Sequence, residues 1–571
     1  MQLNNKKGIA LVFSLMITVV LLGLSSMFIA RTIGERNMSK RERGMGIAFS
    51  LSEAAAHNAL ETIDTFINQY LYNLVTDLNP TTVINNTNSY YNNQDGVGFL
   101  VNYVRENGEY AGTQLLTLDG SQGEYNSSNF SLNGGTYNFR IVFTEKEDPV
   151  KLSDDEWDFP YNYRIKATGN FDGVIKELIL SGDFIINIQR DSFAKYALFT
   201  NSQSMPSGSN VWFKDTTNFA GPVHTNDRFN FYGNPGGTFE GTVEQVQQTA
   251  RFYNGGSSVL LDDDNNGTTD VPVFNEQFNR GVGAITLSSS VQMQDMIDQA
   301  SGGESFGSDG VYVPNNGGAL TGGIYVRGNG NITVGVNGSN QPTYTVQQGS
   351  TTKVVTLNKS SNQTTVETVG GSTTTYSGLP DGVEDVGTII FVDGSISSLG
   401  GTVQQNEQLT IASDGDVVIN NHLVYSNYTA GVGTPGTVGY VPPHADGADN
   451  LLGLVSWNGD VVIGNSAPDD LNVHGTIMTQ NGILTVDDYD DQGVGPRGAV
   501  TLLGGVLQDN YGAFGTFSGS TGNQLSGYGR NFVYDERMRT GNAPPYFPSM
   551  NTFIAFTNDI TDKIVWTEGG L

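Results

Sequence analysis

The chain contains no cysteine in 571 residues. That removes disulfides, thiolate metal sites and a cysteine nucleophile at once. It is also poor in positive charge, with 28 Lys and Arg against 58 Asp and Glu and a formal net charge of −30. A nucleic-acid binder needs a basic face to meet phosphates, so no nucleic-acid partner is expected. The five histidines are scattered, and no H-x-x-x-H or H-E-x-x-H pair occurs. The usual helical zinc motif is therefore missing. No glycine-rich turn ends in Gly-Lys-Ser/Thr, which excludes a P-loop phosphate cradle.

What is present is glycine and aromatic side chains. The 73 glycines are about 13% of the chain, against a usual value near 7%. With 25 Tyr, 29 Phe and 37% hydrophobic residues, the chain can bury a large core and is not disordered overall. Abundant Gly, Asn, Ser and Thr with modest charge point to many turns and short strands, hence a mainly β protein. Residues 1–45 hold seven basic and two acidic residues, leaving 21 basic against 56 acidic in the rest. A short basic end therefore precedes a large acidic body that repels anionic surfaces.

The N-terminus carries the clearest signal. Gly8 to Ala30 is an uncharged run, GIALVFSLMITVVLLGLSSMFIA, about 34 Å long as a helix and enough to cross a bilayer core. A short leader, MQLNNKKG, precedes it. Beyond it no proline occurs until Pro80. Ile33, Met38, Met45, Ala48, Phe49, Ala55, Ala56, Ala59, Leu60, Ile63, Phe66, Ile67 and Leu71 mostly follow spacings of three, four and seven, which predicts one long helix over 9–80 with 9–30 in the membrane. A cleaved signal peptide and an ordinary anchor are the competing readings; the run is longer than a usual signal core and lacks a clear A-x-A site.

Lys6-Lys7-Gly8 followed by Ile9-Ala10-Leu11-Val12, then Glu35-Arg36-Asn37-Met38, Arg43, Ala48-Phe49 and Glu53-Ala54-Ala55, resembles the type IV pilin and pseudopilin class, most closely the PilX-like minor pilins. The resemblance covers about the first 75 residues. It implies a leader at 1–8 cut by prepilin peptidase between Gly8 and Ile9. It also implies filament packing that involves Phe13, Glu35, Arg36 and Glu53, with other pilins or pseudopilins as partners. The protein would wait in a bacterial inner membrane and then join a periplasmic or extracellular filament. Family members usually carry Glu at the fifth mature position, where it is thought to meet a neighbour's terminal amine. Here Phe13 occupies that place. A buried ammonium without a partner is costly, so a subunit lacking the Glu suits the filament tip, where no subunit lies above.

The ectodomain reads as two β regions. Over 81–202 the strands Thr136–Thr144, Tyr161–Gly169 and Val174–Ile188 alternate with Gly-Asn and Asp-Gly turns, predicting an antiparallel sheet. The pilin resemblance implies that this sheet packs on the helix. The acidic stretch between them, 148–160, reads as a loop. Over 203–548 short apolar clusters recur between Gly, Asn and Asp turns. Coils that cannot bury their faces alone must stack, so a parallel β-helix or related solenoid is expected over about 380–515, with a β sandwich as the alternative. An inserted hairpin or surface loop is expected over 337–375 and a C-terminal tail over 549–571. Tyr196-Ala197-Leu198-Phe199-Thr200, Gly221-Pro222-Val223-His224-Thr225-Asn226 and the run from Tyr534 to Pro548 resemble an uncharacterised ectodomain often joined to PilX-like N-termini.

Candidate chemistry is sparse. Asp262, Asp264, Asn266, Gly267, Thr268 and Asp270 follow the D-x-[DN]-x-[DN]-G pattern of a calcium loop, with Val273 where the bidentate Glu belongs. Calcium and a plain Asx-Gly turn both read these residues. His224, His422, His444 and His474 read as structural or surface groups. Asp414, Asp416, Asp487, Asp488, Asp490 and Asp491 read as turns, with glycosidase carboxylates as the rival reading. Trp212, Phe213, Phe229, Phe231 and Tyr232 read mainly as core, with a glycan or protein ligand as the rival. The sum is a non-enzymatic structural subunit of a type IV pilus or type II secretion-like pseudopilus, for filament initiation, adhesion or cargo contact. The alternative is a membrane-anchored surface protein that binds or cleaves polysaccharide.

Overall fold

The computed structural model describes residues 4–107, 123–153, 155–215, 217–254, 256–263, 269–287, 290–432, 441, 443–444, 449–518, 523–557, 560 and 564–568. The protein is mainly β with one long N-terminal helix, and among the described residues there is no closed barrel. Contacts divide it into two compact units, Met1–Arg190 with Thr552–Leu571, and Asp191–Asn551.

The first unit is built on the helix. With no proline to interrupt it, α1 runs Asn4–Thr65, passes through a π-helical turn at Phe66–Leu71 and continues as α2, Tyr72–Asp77. Leu78 turns extended, Asn79 caps the next helix by accepting from the Thr81 amide at 3.0 Å, and Pro80 opens α3, Pro80–Asn92. Proline suits that first helical position, where its missing N–H costs nothing. Helix α4 spans Gly96–Asn107.

The sheet of this unit follows from period-2 patterning. Its strands are β1 Glu124–Asn126, β2 Phe130–Leu132, β3 Gly135–Glu145, β4 Val150–Ser153, β5 Glu156–Phe171 and β6 Val174–Ser192. Asp172-Gly173 closes the β5–β6 hairpin and Asn133-Gly134 the β2–β3 hairpin, all four with positive φ. That is the turn whose twist matches paired strands. Phe139, Ile141 and Phe143 from β3 face inward with Trp157, Phe159, Tyr161, Tyr163 and Ile165 from β5. Two expectations are corrected here. The acidic stretch 148–160 holds β4 and the start of β5, and buries Trp157 and Phe159 completely. Residues 549–571 are not a free tail, because Ser549–Thr557 and Val565–Glu568 both pair with β6.

Helix and sheet meet at small residues. Ala48, Ala55, Ala56 and Ala59 are fully buried on α1. Opposite them Gly169 comes so close that a β-carbon there would lie 2.1 Å from the Ala48 carbonyl oxygen. Glycine is required by this approach rather than by its backbone angles.

The second unit is a stack of parallel strands. One in-register ladder runs Ile324–Ile390–Ile411–Leu454–Ile477–Val506–Leu198–Val223–Val243–Phe278. The first strand of the unit, Leu198–Thr200, thus lies mid-stack beside the late strand Val506–Gln508. Two residues along, Ser413, Ser456, Thr479, Gln508, Thr200, Thr225 and Gln245 form a parallel ladder that is buried and polar. Its hydroxyls serve the corner turns, with Ser413 donating to Gly394 O at 2.6 Å and Ser456 to Gly415 O at 2.9 Å. Buried polar groups of this kind must be hydrogen-bonded.

The opposite side of the same strands is covered too. Phe391, Ala412, Val455, Met478, Leu507 and Phe199 are fully buried. Helix α5, Ser290–Ser301, and the strap 534–548 lie over them. Thr410 bonds to Pro545 O, and Tyr534 donates to Lys195 O at 2.7 Å. Strands buried on both faces read as continuous apolar runs instead of alternating ones. The segment 337–375 forms antiparallel hairpins over Pro342–Ser377 that extend the second large sheet.

Candidate functional site

The residues of α1 fall into two classes. From Ala48 onward one face is buried against the sheet. Over residues 8–43 the side chains have no cover, with Ile9 57%, Phe13 63% and Phe28 68% exposed. The most apolar window has a mean hydropathy of 2.4 and none of it is buried. Helices that are apolar all round belong in lipid or in a protein core. This one is long and apolar enough to cross a membrane, and no described residue covers it. Gly8 and Ile9 are exposed at its start. Glu35 pairs with Arg31 at 3.0 Å, one turn away on the same helix, a contact of small value at such exposure. Among the described residues Arg36 and Glu53 have no bonding partner, so the surface that holds Phe13, Glu35, Arg36 and Glu53 points outward.

The calcium candidate is split. Asp264, Asn266 and Thr268 lie outside the described residues. Asp262 is exposed, while Asp270 is buried and its Oδ1 accepts from the Gly233 amide at 2.6 Å. Among the described residues no group of three His, Asp or Glu side chains is placed to hold a metal. The aspartates singled out in the turns hold corners together. Asp416 accepts from the Asp460 amide at 2.9 Å, Asp414 from the Asn458 side chain at 2.6 Å, and Asp488 from Asn465 at 2.7 Å.

The aromatic group divides. Phe213, Phe229 and Phe231 are core residues, whereas Tyr232 is 48% exposed and Trp212 is partly exposed. His224 is fully buried, with Nδ1 3.4 Å from Glu244 and its ring stacked on Phe199. That contact holds the Glu244 carboxyl below its usual pKa.

A polar cluster escaped the sequence reading. Tyr425, His444, Asn450, His474 and Asp535 are all buried, although they come from distant parts of the chain. Arg537 pairs with Asp535 at 2.6 Å, donates to Asn450 O at 2.7 Å and lies 5.4 Å from the Tyr425 ring centre. His474 Nδ1 accepts from the Tyr425 amide at 3.1 Å, and Tyr428 packs on its ring at 4.4 Å. Burial, then the neighbouring His444, push the His474 pKa down from 6.5 to about 4. The available signal was the Tyr534-Asp535-Glu536-Arg537 string, but nothing local to it indicates its partners.

Residues 158–246 match a protein family described as a domain of unknown function (DUF4900). The match begins in β5 of the first unit and ends in the stack of the second. No curated protein and no solved structure matches the chain.

Proposed function

We propose that this protein is a minor-pilin-like structural subunit of a type IV pilus or a type II secretion-like pseudopilus. The observation that carries the reading is the division of one continuous helix. Its first part is apolar and uncovered, and its second part is packed on the protein's own sheet through alanines. A subunit stored in lipid and later drawn into a helical bundle needs this arrangement. Lipid satisfies the exposed face first, and neighbouring helices satisfy it afterwards. The acidic β-rich body, which we read as a β-helix-like payload on the helix, is suited to the outer side of the membrane.

Position at the tip follows from Phe13. Phenylalanine cannot neutralise the terminal amine of a subunit above it, so a place with no such subunit costs least. Prepilin peptidase would cut after Gly8. Mass spectrometry of protein extracted from membranes tests this directly. The expected mature chain starts at Ile9. A chain that starts at Met1, or after a residue near Ala30, refutes the proposal. Stoichiometry in purified filaments tests the tip assignment, because parity with a major subunit is incompatible with it.

A further inference from the structure

The parallel register of the second unit sorts a run of aromatic residues into two sets. Phe213, Phe231 and Phe252 pair with one another across adjacent strands and are 2%, 0% and 0% exposed. Side chains alternate along a strand, so Trp212, Tyr232 and Tyr253 emerge on the other side. There they form a contiguous patch. The Tyr232 and Tyr253 ring centres are 5.0 Å apart, and Trp212 meets Tyr253 edge-on at 5.7 Å. Exposed Leu260 belongs to the neighbouring strand.

The polar tips of these rings differ from those of several aromatics elsewhere in the protein. Trp157, Tyr161, Tyr163, Tyr528 and Tyr534 all bond within the protein through their N–H or O–H. Among the described residues, the Trp212 indole N–H and the Tyr232 and Tyr253 hydroxyls make no such bond. The three rings thus offer apolar faces and unused hydrogen-bonding groups together. A ligand that matches both has an apolar C–H face and a rim of hydroxyls, which is the chemistry of a pyranose ring. The net charge of −30 disfavours anionic chains. We propose that Trp212, Tyr232 and Tyr253 form a stacking platform for a neutral polysaccharide.

This inference does not rest on the filament reading, and a chain that never enters a filament would leave it standing. The test uses full-length protein in a detergent without a sugar headgroup. It is titrated calorimetrically with β-1,4-linked hexamers of glucose and of N-acetylglucosamine, and tryptophan emission is followed in parallel. Trp157 and Trp457 are buried, so a shift reports Trp212 or Trp566. The expected result is binding of at least one hexamer, weakened about tenfold or more by Trp212→Ala or Tyr232→Ala and unchanged by Trp566→Ala. Tyr253→Phe, which keeps the ring, should weaken binding less than Tyr253→Ala. Unchanged circular dichroism and melting temperature would show that the variants fold. No heat with either hexamer overturns the proposal, and so does binding that survives in a folded Trp212→Ala/Tyr232→Ala double variant.

Discussion

Acid should weaken the second unit through one histidine. His474 is 3% exposed, and its Nδ1 accepts the Tyr425 amide proton. A ring that accepts at Nδ1 carries its proton on Nε2, so protonation must sacrifice that bond. Burial, reinforced by His444 and opposed by Asp535, sets the pKa at about 4, against 6.5 for the free side chain. Between those two values the unfolded chain binds a proton and the folded chain does not, so stability falls as pH falls. The contribution is complete above pH 6.5 and is lost as pH drops through 4. A gap of about 2.5 units at 1.36 kcal/mol each gives about 3 kcal/mol.

Other groups act in the same range, so a bare pH profile is insufficient. Asp381, raised to about 6 mainly by burial, has the opposite sign. Its folded form holds a proton that the unfolded form has released, so its contribution grows as pH falls from 6. Comparison with His474→Gln removes such shared effects, since glutamine can still accept the Tyr425 amide bond without titrating. Denaturant unfolding at about pH 7 and about pH 4 should show the stability difference between wild type and variant shift by about 3 kcal/mol, in favour of the variant in acid. A difference that stays constant across that range refutes the argument for a buried, neutral imidazole.

Three further outcomes are expected. Gly169→Ala forces a β-carbon against the Ala48 carbonyl and should cost about 1–3 kcal/mol, with faster hydrogen exchange in α1 from Ala48 to Ile63; unchanged exchange there counts against the close helix–sheet contact. Ile411→Ala removes a fully buried rung of the ladder and should cost about 2–5 kcal/mol, while Ser397→Ala at an exposed site on the preceding strand, Ile396–Val403, should stay within about 0.5 kcal/mol; equal losses in denaturant melts would contradict the ladder. Leu15→Asp with Val19→Asp places two charges in the uncovered apolar segment at about 2.5–3.5 kcal/mol each, so the protein should move from the membrane to the soluble fraction, and retention after carbonate washing would show that this segment is not the anchor.

Features that depend on near neighbours are legible in the order of residues alone. The apolar run from Gly8, the lack of proline before Pro80 and the alanines from Ala48 to Ala59 specify a long helix with a change of character along its length. Asp172-Gly173 and Asn133-Gly134 specify their hairpins because only those backbone conformations join twisted strands so tightly. Pairings between residues far apart in the chain emerge only from the folded molecule. Leu198 finds Val506, β6 recruits Ser549–Thr557, and Arg537 gathers Tyr425, Asn450 and Asp535. Strands such as Thr388–Asp393 and Leu451–Ser456 are covered on both faces, so they show no alternation that would name a partner or an inward side. Which rung stacks on which is set by the summed fit of the whole core, and no short stretch of chain contains that information.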